Sequence, residues 1–338
     1  MKTEIYTLNK DRNVTLTAYI QDVGGKFDYI PKRPAVLILP GGAYMYCSDR
    51  EADPVAMRYL AAGFQVFILR YSVASNMKWP NPLNDYDDAM MMIKEKSNEW
   101  GLYDDKIAVI GFSAGGHLAA AAATMAQNRP NAAILGYPVT GPNVLVCNQT
   151  APNVNLEIDR KTPPCFIFAA RDDDSVSVRN SVDFMEGLIN AGITFESHIY
   201  SYGGHGFSTS DASVENPQKP GTNRRKNWVN DSIEWLFEIF GEFGQGKLEE
   251  AKVTKYLNED SFEGASVNCS VQKLLGNHEA ALIVEPILKL LSDKAHVVID
   301  DSVGMAEEFK DAVFADILRG ASYPENEIVK LNEKLKQI

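Results

Sequence analysis

Cysteine, histidine and basic residues are all scarce in this sequence, and each shortage closes off a class of chemistry. The four cysteines (Cys47, Cys147, Cys165 and Cys269) are scattered, without the close spacing of a metal site or a disulfide framework. They read as free thiols in a reducing compartment, and no metal or other cofactor is expected. Lysine and arginine number 33 against 45 aspartates and glutamates, a net charge of −12. The densest basic run is "NRRK" at Asn223 to Lys226, which reads as a solvated helix start. A nucleic-acid partner is excluded on this ground, because neutralising phosphates needs clustered cations. No apolar run approaches the ~18 residues of a membrane span. The opening "MKTEIYTLNKDRNVTL" has no apolar core of the kind a secretory signal carries, so the chain is expected in the cytoplasm, away from membranes.

What is present is a large apolar fraction, 45% of residues, arranged in short runs. Strands are expected at Val14–Ile20, Ala35–Leu39, Phe64–Leu69, Lys106–Gly111, Ala132–Tyr137, Cys165–Ala170 and Thr194–Tyr200. Helical patterns lie between them at about 53–62, 84–99, 114–127, 178–191 and 224–240. Continuous apolar strands separated by helices are what a parallel sheet covered on both faces requires. Residues 1–244 are therefore expected to form an α/β domain. The run "GEFGQGK" at Gly241 to Lys247 reads as a linker. Residues 245–338 follow helical spacing throughout. The helix from Asn277 has Pro286 as an expected kink, another ends at Gly320, and a last one opens with Ser322 and Glu325 at capping-box spacing. Apolar faces on such a module call for a cover, either the α/β domain or a second copy of the chain, so a homo-oligomer built through these helices is one expectation.

The chemistry concentrates in "KIAVIGFSAGGHLAAAAA", Lys106 to Ala123. A strand breaks at Gly111, presents Ser113 and enters an alanine-rich helix at once, the pattern of a nucleophile elbow. Glycines at 111 and 115 remove side chains that would collide in so tight a turn. A serine needs a base, and there are only five histidines. His117 lies one helical turn beyond Ser113, where packing is its expected role. His198 sits within a strand, and His278 and His296 belong to the tail. His205, in the glycine-rich loop "YSYGGHGF" after the last strand, remains. The orienting acid should follow the preceding strand, where "CFIFAARDDDSVSVRNS" offers Asp172, Asp173 and Asp174. Three adjacent carboxylates repel too strongly to be buried together, so one points inward. The spacing to Val176 favours Asp173. For the developing oxyanion, "LPGGAY" supplies a loop of small residues whose Gly42 and Ala43 N–H groups, with that of Ala114, form the expected hole.

Taken in order, "LPGGAY", "RYSV", "WPNPLNDYDDAM", "GFSAGGHLAA", "RDDDSVSVRNS" and "YGGHGF" resemble an α/β-hydrolase of the acetyl esterase and acetylxylan esterase type, from about Ala35 to Phe240. The resemblance implies a carboxylester hydrolase acting on O-acetyl groups, often of plant-cell-wall sugars, with Ser113, Asp173 and His205 as its triad. Two positions depart from the pattern: Pro40 stands where many relatives carry histidine, and Ala43 where they carry a third glycine. Neither change removes a backbone donor.

Only "TGPNVLVCNQTAPNVNLEIDRK", Thr140 to Lys161, is long and irregular enough to cover the site. That is too short for a deep acyl tunnel, which favours a small acyl group on a bulky alcohol such as an acetylated oligosaccharide. Tyr44, Trp79, Tyr137 and Tyr202 fall in loops at the expected active edge and are candidates for stacking on sugar faces. Two rival readings share the motifs. A serine peptidase of the prolyl-oligopeptidase type uses the same triad order but usually carries a large N-terminal domain, for which there is no room here. A non-catalytic binding module on a hydrolase scaffold would be expected to have lost a triad residue.

Overall fold

The apolar runs pair into one eight-stranded sheet. In the computed structural model, which describes residues 1–215, 223–255, 264–295 and 307–338, the strands are β1 (Lys2–Asn9), β2 (Val14–Ile20), β3 (Arg33–Leu39), β4 (Gln65–Arg70), β5 (Leu102–Phe112), β6 (Ala132–Gly136), β7 (Cys165–Ala170) and β8 (Phe195–Tyr200). Their spatial order is β1-β2-β4-β3-β5-β6-β7-β8. From β4 to β8 every neighbouring pair is parallel, whereas β1–β2 and β2–β4 are antiparallel. The central strands β3, β6 and β7 are buried along their whole length. Helices cover both faces, as parallel βαβ units demand. β1 escapes sequence reading because its "KTEIYTLN" mixes charges with isolated apolar residues, and none of its residues is fully buried.

Five helices belong to the sheet: α1 (Asp53–Ala61), α2 (Asn81–Glu95), α3 (Ala114–Thr124), α4 (Arg179–Ala191) and α5 (Trp228–Phe240). α3 is buried at every residue. Alanine keeps it thin enough to lie close against β5 and β6, and it is also the strongest helix former. On one face of the sheet Phe112, Tyr137, Phe166, Phe168, Phe207 and Trp228 form a single aromatic core cluster. The Phe168 and Trp228 rings stack at 4.2 Å. The expected solvated helix start at Asn223–Lys226 is instead a short 3-10 turn, in which Arg225 is buried and donates to the Gly203 carbonyl at 2.8 Å.

The chain divides into two units, Met1–Lys255 and Tyr256–Ile338. The glycine-rich run expected to link them at Gly241–Lys247 lies within the first unit. There Phe243 pairs with Leu248, its ring meets Phe237, and the Gly246 N–H donates to Tyr29. The second unit comprises α6 (Val271–Gly276), α7 (His278–Ala295), α8 (Glu307–Lys310), α9 (Phe314–Gly320) and α10 (Glu325–Leu335). Val271, Leu274, Ala280, Val284, Phe314, Leu318, Ile328 and Leu335 make a core of its own. Much of its apolar surface is covered within the unit itself, although Leu282, Leu290 and Val329 remain exposed. α7 runs through Pro286. The helix expected to end at Gly320 is two short ones, because extended Val313 pairs with Ser270 between them. Ser322 caps nothing; Pro324 occupies the N-cap of α10, and Glu325 binds Arg319. His296 lies outside the described residues.

Candidate active site

Ser113 stands at the C-terminal end of β5, at φ 53° and ψ −117°, between the strand and α3. A non-glycine residue in this region is strained and persists only where its surroundings hold it. Here they do: the Ser113 N–H donates to the Gly136 carbonyl of β6 at 2.9 Å, and its own carbonyl accepts the His117 N–H. The neighbouring glycines have no room for a side chain. A Cβ on Gly111 would lie 2.0 Å from the Gly115 carbonyl oxygen, and one on Gly115 would lie 2.2 Å from that of Leu39.

Three loops at this edge of the sheet converge on the serine hydroxyl. His205 Nε2 lies 2.9 Å from Ser113 Oγ, and its Nδ1 lies 2.7 Å from Asp173 Oδ2. A carboxylate only accepts, so Nδ1 carries the proton, and Nε2 presents its lone pair to the serine hydroxyl. The Asp173 side chain is 1% exposed. Its other oxygen accepts the N–H groups of Ser175 and Val176 at 2.9 and 2.8 Å, which locks the carboxylate toward the imidazole. Among the described residues, Asp174 reaches only the Ser175 hydroxyl. Asp172, expected to be merely solvated, accepts the N–H groups of Gly203 and Gly204 at 2.8 and 3.0 Å. With Arg225 on the Gly203 carbonyl, it grips both sides of the turn that carries His205.

The loop after β3 runs beside the elbow. Among the described residues, no hydrogen bond occupies the N–H of Gly42, Ala43 or Ala114. Gly42 takes φ 132°, and Ala43 and Tyr44 take φ 53° and 59°. Ala43 therefore sits in the left-handed region that favours glycine, a strained position for an alanine. The Tyr71 hydroxyl donates to the Pro40 carbonyl at 2.7 Å and holds the entry to this loop.

The four aromatic candidates separate into two kinds. Tyr44 and Tyr137 are buried and present no face to a ligand. The Tyr44 hydroxyl meets His117 Nδ1 at 2.7 Å, and the Tyr137 hydroxyl donates to Glu51 Oε1 at 2.6 Å. Both are internal struts, correcting the expectation of sugar contact. Trp79 is half-buried with its ring edge toward His117, and Tyr202 is 61% exposed. His117 fills a packing role: its Nε2 lies 2.9 Å from the Pro152 carbonyl, and burial pushes it down to about 4, so it is neutral at ordinary pH. His198 stacks on Phe166 and pairs with Glu196. The segment expected to cover the site is tied down by that Pro152 contact, by Asn148 on the Met77 carbonyl and by Thr150 on the Trp79 N–H.

Sequence reasoning missed Glu51. It lies in the polar run "CSDRE", which looks like a solvated loop, yet it is 3% exposed and its Oε2 accepts the Gly41 N–H at 2.8 Å. Among the described residues, no three His, Cys, Asp or Glu side chains are grouped to hold a metal ion, and no helix is long and apolar enough to cross a membrane.

Comparison with known proteins finds relatives of the same fold. Residues 28–137 match the BD-FAE family. The structure of MGS-M1, an α/β-hydrolase enzyme from a Medee basin deep-sea metagenome library, is 41% identical, with a TM-score of 0.67 over 71% of this chain and 98% of that one. An acetyl ester-xyloside bifunctional hydrolase from Caldicellulosiruptor lactoaceticus is 28% identical, with a TM-score of 0.57 over 67% and 88%. An acetylxylan esterase of Xylanibacter ruminicola is 27% identical across 53% of this chain. The match spans 42% of that esterase's length, and 33% of that of a second curated relative, a xylanase of Butyrivibrio fibrisolvens. The chain belongs to the α/β-hydrolase family.

Proposed function

We propose that the protein is a serine esterase that removes acetyl and other short acyl groups from acetylated sugars, such as xylo-oligosaccharides. The observation that carries this reading is the continuous hydrogen-bonded chain from Ser113 through His205 to Asp173 at a strained strand-to-helix turn. Ser113 Oγ attacks the ester carbonyl while His205 Nε2 takes its proton. Asp173 holds the imidazole and stabilises the cation that forms. The carbonyl oxygen gains its charge against the N–H groups of Gly42, Ala43 and Ala114, which have no other partner among the described residues. As the carbonyl re-forms, the C–O bond breaks and the alcohol leaves with the proton held on His205. Water then repeats the sequence on the acyl-serine and releases the carboxylate.

A small acyl group and an exposed alcohol are favoured by the shortness of segment 140–161, which is held down through Asn148, Thr150 and Pro152. The acetyl ester-xyloside hydrolase and acetylxylan esterase among the relatives support sugar as the alcohol. Turnover of p-nitrophenyl acetate tests the esterase reading, and release of acetate from acetylated xylo-oligosaccharides tests the substrate. A protein that cleaves an aminoacyl-proline amide and spares both esters is a peptidase instead.

A further inference from the structure

Glu51 is a buried acid that the mechanism above leaves unused. Its two oxygens divide their work: Oε2 accepts the Gly41 N–H at 2.8 Å, and Oε1 accepts the Tyr137 hydroxyl at 2.6 Å. The Tyr137 oxygen in turn accepts the Ser208 N–H at 3.1 Å, which commits its own proton to Glu51. Both partners are donors, an arrangement that suits a carboxylate and not a carboxylic acid. Burial acts the other way and pushes the group up. The adjacent cation does not neutralise it directly, because Arg50 pairs with Glu215.

The position connects this acid to both halves of the reacting site. A Cβ on Gly41 would touch Glu51 Oε2 at 2.7 Å and Ser113 Cβ at 3.2 Å, so the carboxyl and the nucleophile flank the same glycine. On the other side, the Tyr137 ring meets the His205 ring at 5.1 Å, inclined at 68°. One side chain thus fixes the first peptide of the oxyanion loop and the aromatic wall behind the base. It also places a second negative charge near an imidazole that becomes cationic only during reaction.

We propose that Glu51 is a positioning residue for ester cleavage, aligning the Gly41–Gly42 turn and Tyr137 and stabilising the His205 imidazolium as it forms. The inference rests on the esterase reading. Its effect falls on kcat, because the charge it favours is absent from the ground state. The other charged groups facing His205 are Asp173 on its Nδ1, Asp172 and Arg225 on the Gly203 turn, and Arg50 beside Gly206. All of them remain in a Glu51 variant.

The test is Glu51→Gln in the full chain, which keeps the volume and removes the charge. The expected result with p-nitrophenyl acetate is a fall in kcat of about 10- to 100-fold, below the loss of a complete oxyanion donor, with KM nearly unchanged. The acid limb of the kcat/KM profile should also move to lower pH, because a protonated imidazole that has lost a nearby anion releases its proton more easily. A lower rate with an unmoved acid limb, an unchanged rate, or an effect confined to KM overturns the proposal. If Glu51→Gln does not fold, Tyr137→Phe serves: stripping one donor from the carboxylate makes it easier to protonate, so the limb should shift the same way, and an unmoved limb is again fatal. Wild type with neither turnover nor fluorophosphonate labelling at Ser113 removes the esterase reading itself. An active wild type beside an unaltered Glu51→Gln removes only this inference.

Discussion

Acidification should weaken the first unit in part through one buried side chain, His117. Folded, this histidine is buried, with its titration pushed down from 6.5 to about 4 by desolvation. Above pH 6.5 the ring is neutral in both folded and unfolded chains and contributes no pH dependence. Between 6.5 and about 4 the unfolded chain binds a proton that the folded one refuses, so stability is lost at ~1.4 kcal/mol per pH unit, about 3 kcal/mol in all. That is a sizeable share of the ~5–15 kcal/mol that holds a typical domain together. Glu51 works in the opposite sense: burial raises it above 4.5, so the folded state binds its proton first, and acidification through that range favours folding. The two are separated by comparing wild type with His117→Gln. That variant can still donate to the Pro152 carbonyl and accept from Tyr44 without titrating. All four tryptophans, Trp79, Trp100, Trp228 and Trp235, belong to the first unit, so urea unfolding followed by tryptophan fluorescence reports on it. The stability gap between wild type and variant should shrink by about 3 kcal/mol from neutral pH to pH ~4. A gap that stays constant refutes the buried, neutral assignment.

Other outcomes follow from the site. Ser113→Ala should fold normally and lose roughly 10³-fold or more in kcat, and a fluorophosphonate probe should label Ser113 in wild type only. Asp173→Asn should lose of order 10⁴-fold, since an amide can hold the wrong imidazole tautomer and offers no charge. Asp174→Asn should be nearly silent. For Asp172 the contrast lies between variants: Asn still accepts from Gly203 and Gly204 and should be mild, whereas Ala frees the turn and should lower kcat by about 10-fold, as misplaced catalytic groups do. Along p-nitrophenyl esters, kcat/KM should fall steeply from acetyl to butyryl and be negligible at octanoyl. A rise of up to ~0.8 kcal/mol per added methylene would reveal an enclosed acyl pocket.

The reach of the sequence varied with distance along the chain. Strands such as Val14–Ile20 and Cys165–Ala170 were legible to the residue, because burial on a sheet leaves a local mark in apolar runs. Ser113, His205 and Asp173 were legible because a tight turn, a glycine-rich loop and a position after a strand are likewise local. What stayed hidden depends on partners far away in sequence. Glu51, Asp172 and Arg225 look like solvated charges until Gly41, Gly203 and Tyr137 are brought to them. Tyr44 and Tyr137 sit in loops, and nothing in a loop's composition says whether its aromatics face inward. β1 and the break before Val313 escaped because each is fixed by backbone pairing, to β2 and to Ser270, rather than by its own pattern.

The closeness of Gly111, Gly115 and Leu39 bears on how such an enzyme is redesigned. A Cβ placed 2.0–2.2 Å from a backbone oxygen cannot be accommodated by repacking neighbours, because the obstacle is the chain path itself. Mutational libraries spend their diversity uselessly there; substitutions at these glycines act as off-switches and grade nothing. Trp79 and Tyr202, the two remaining candidates for contact with the alcohol, sit on separate loops outside that knot of backbone. Selectivity can therefore be sampled at the rim without touching the elbow, and a library built around this scaffold divides cleanly into positions to freeze and positions to vary.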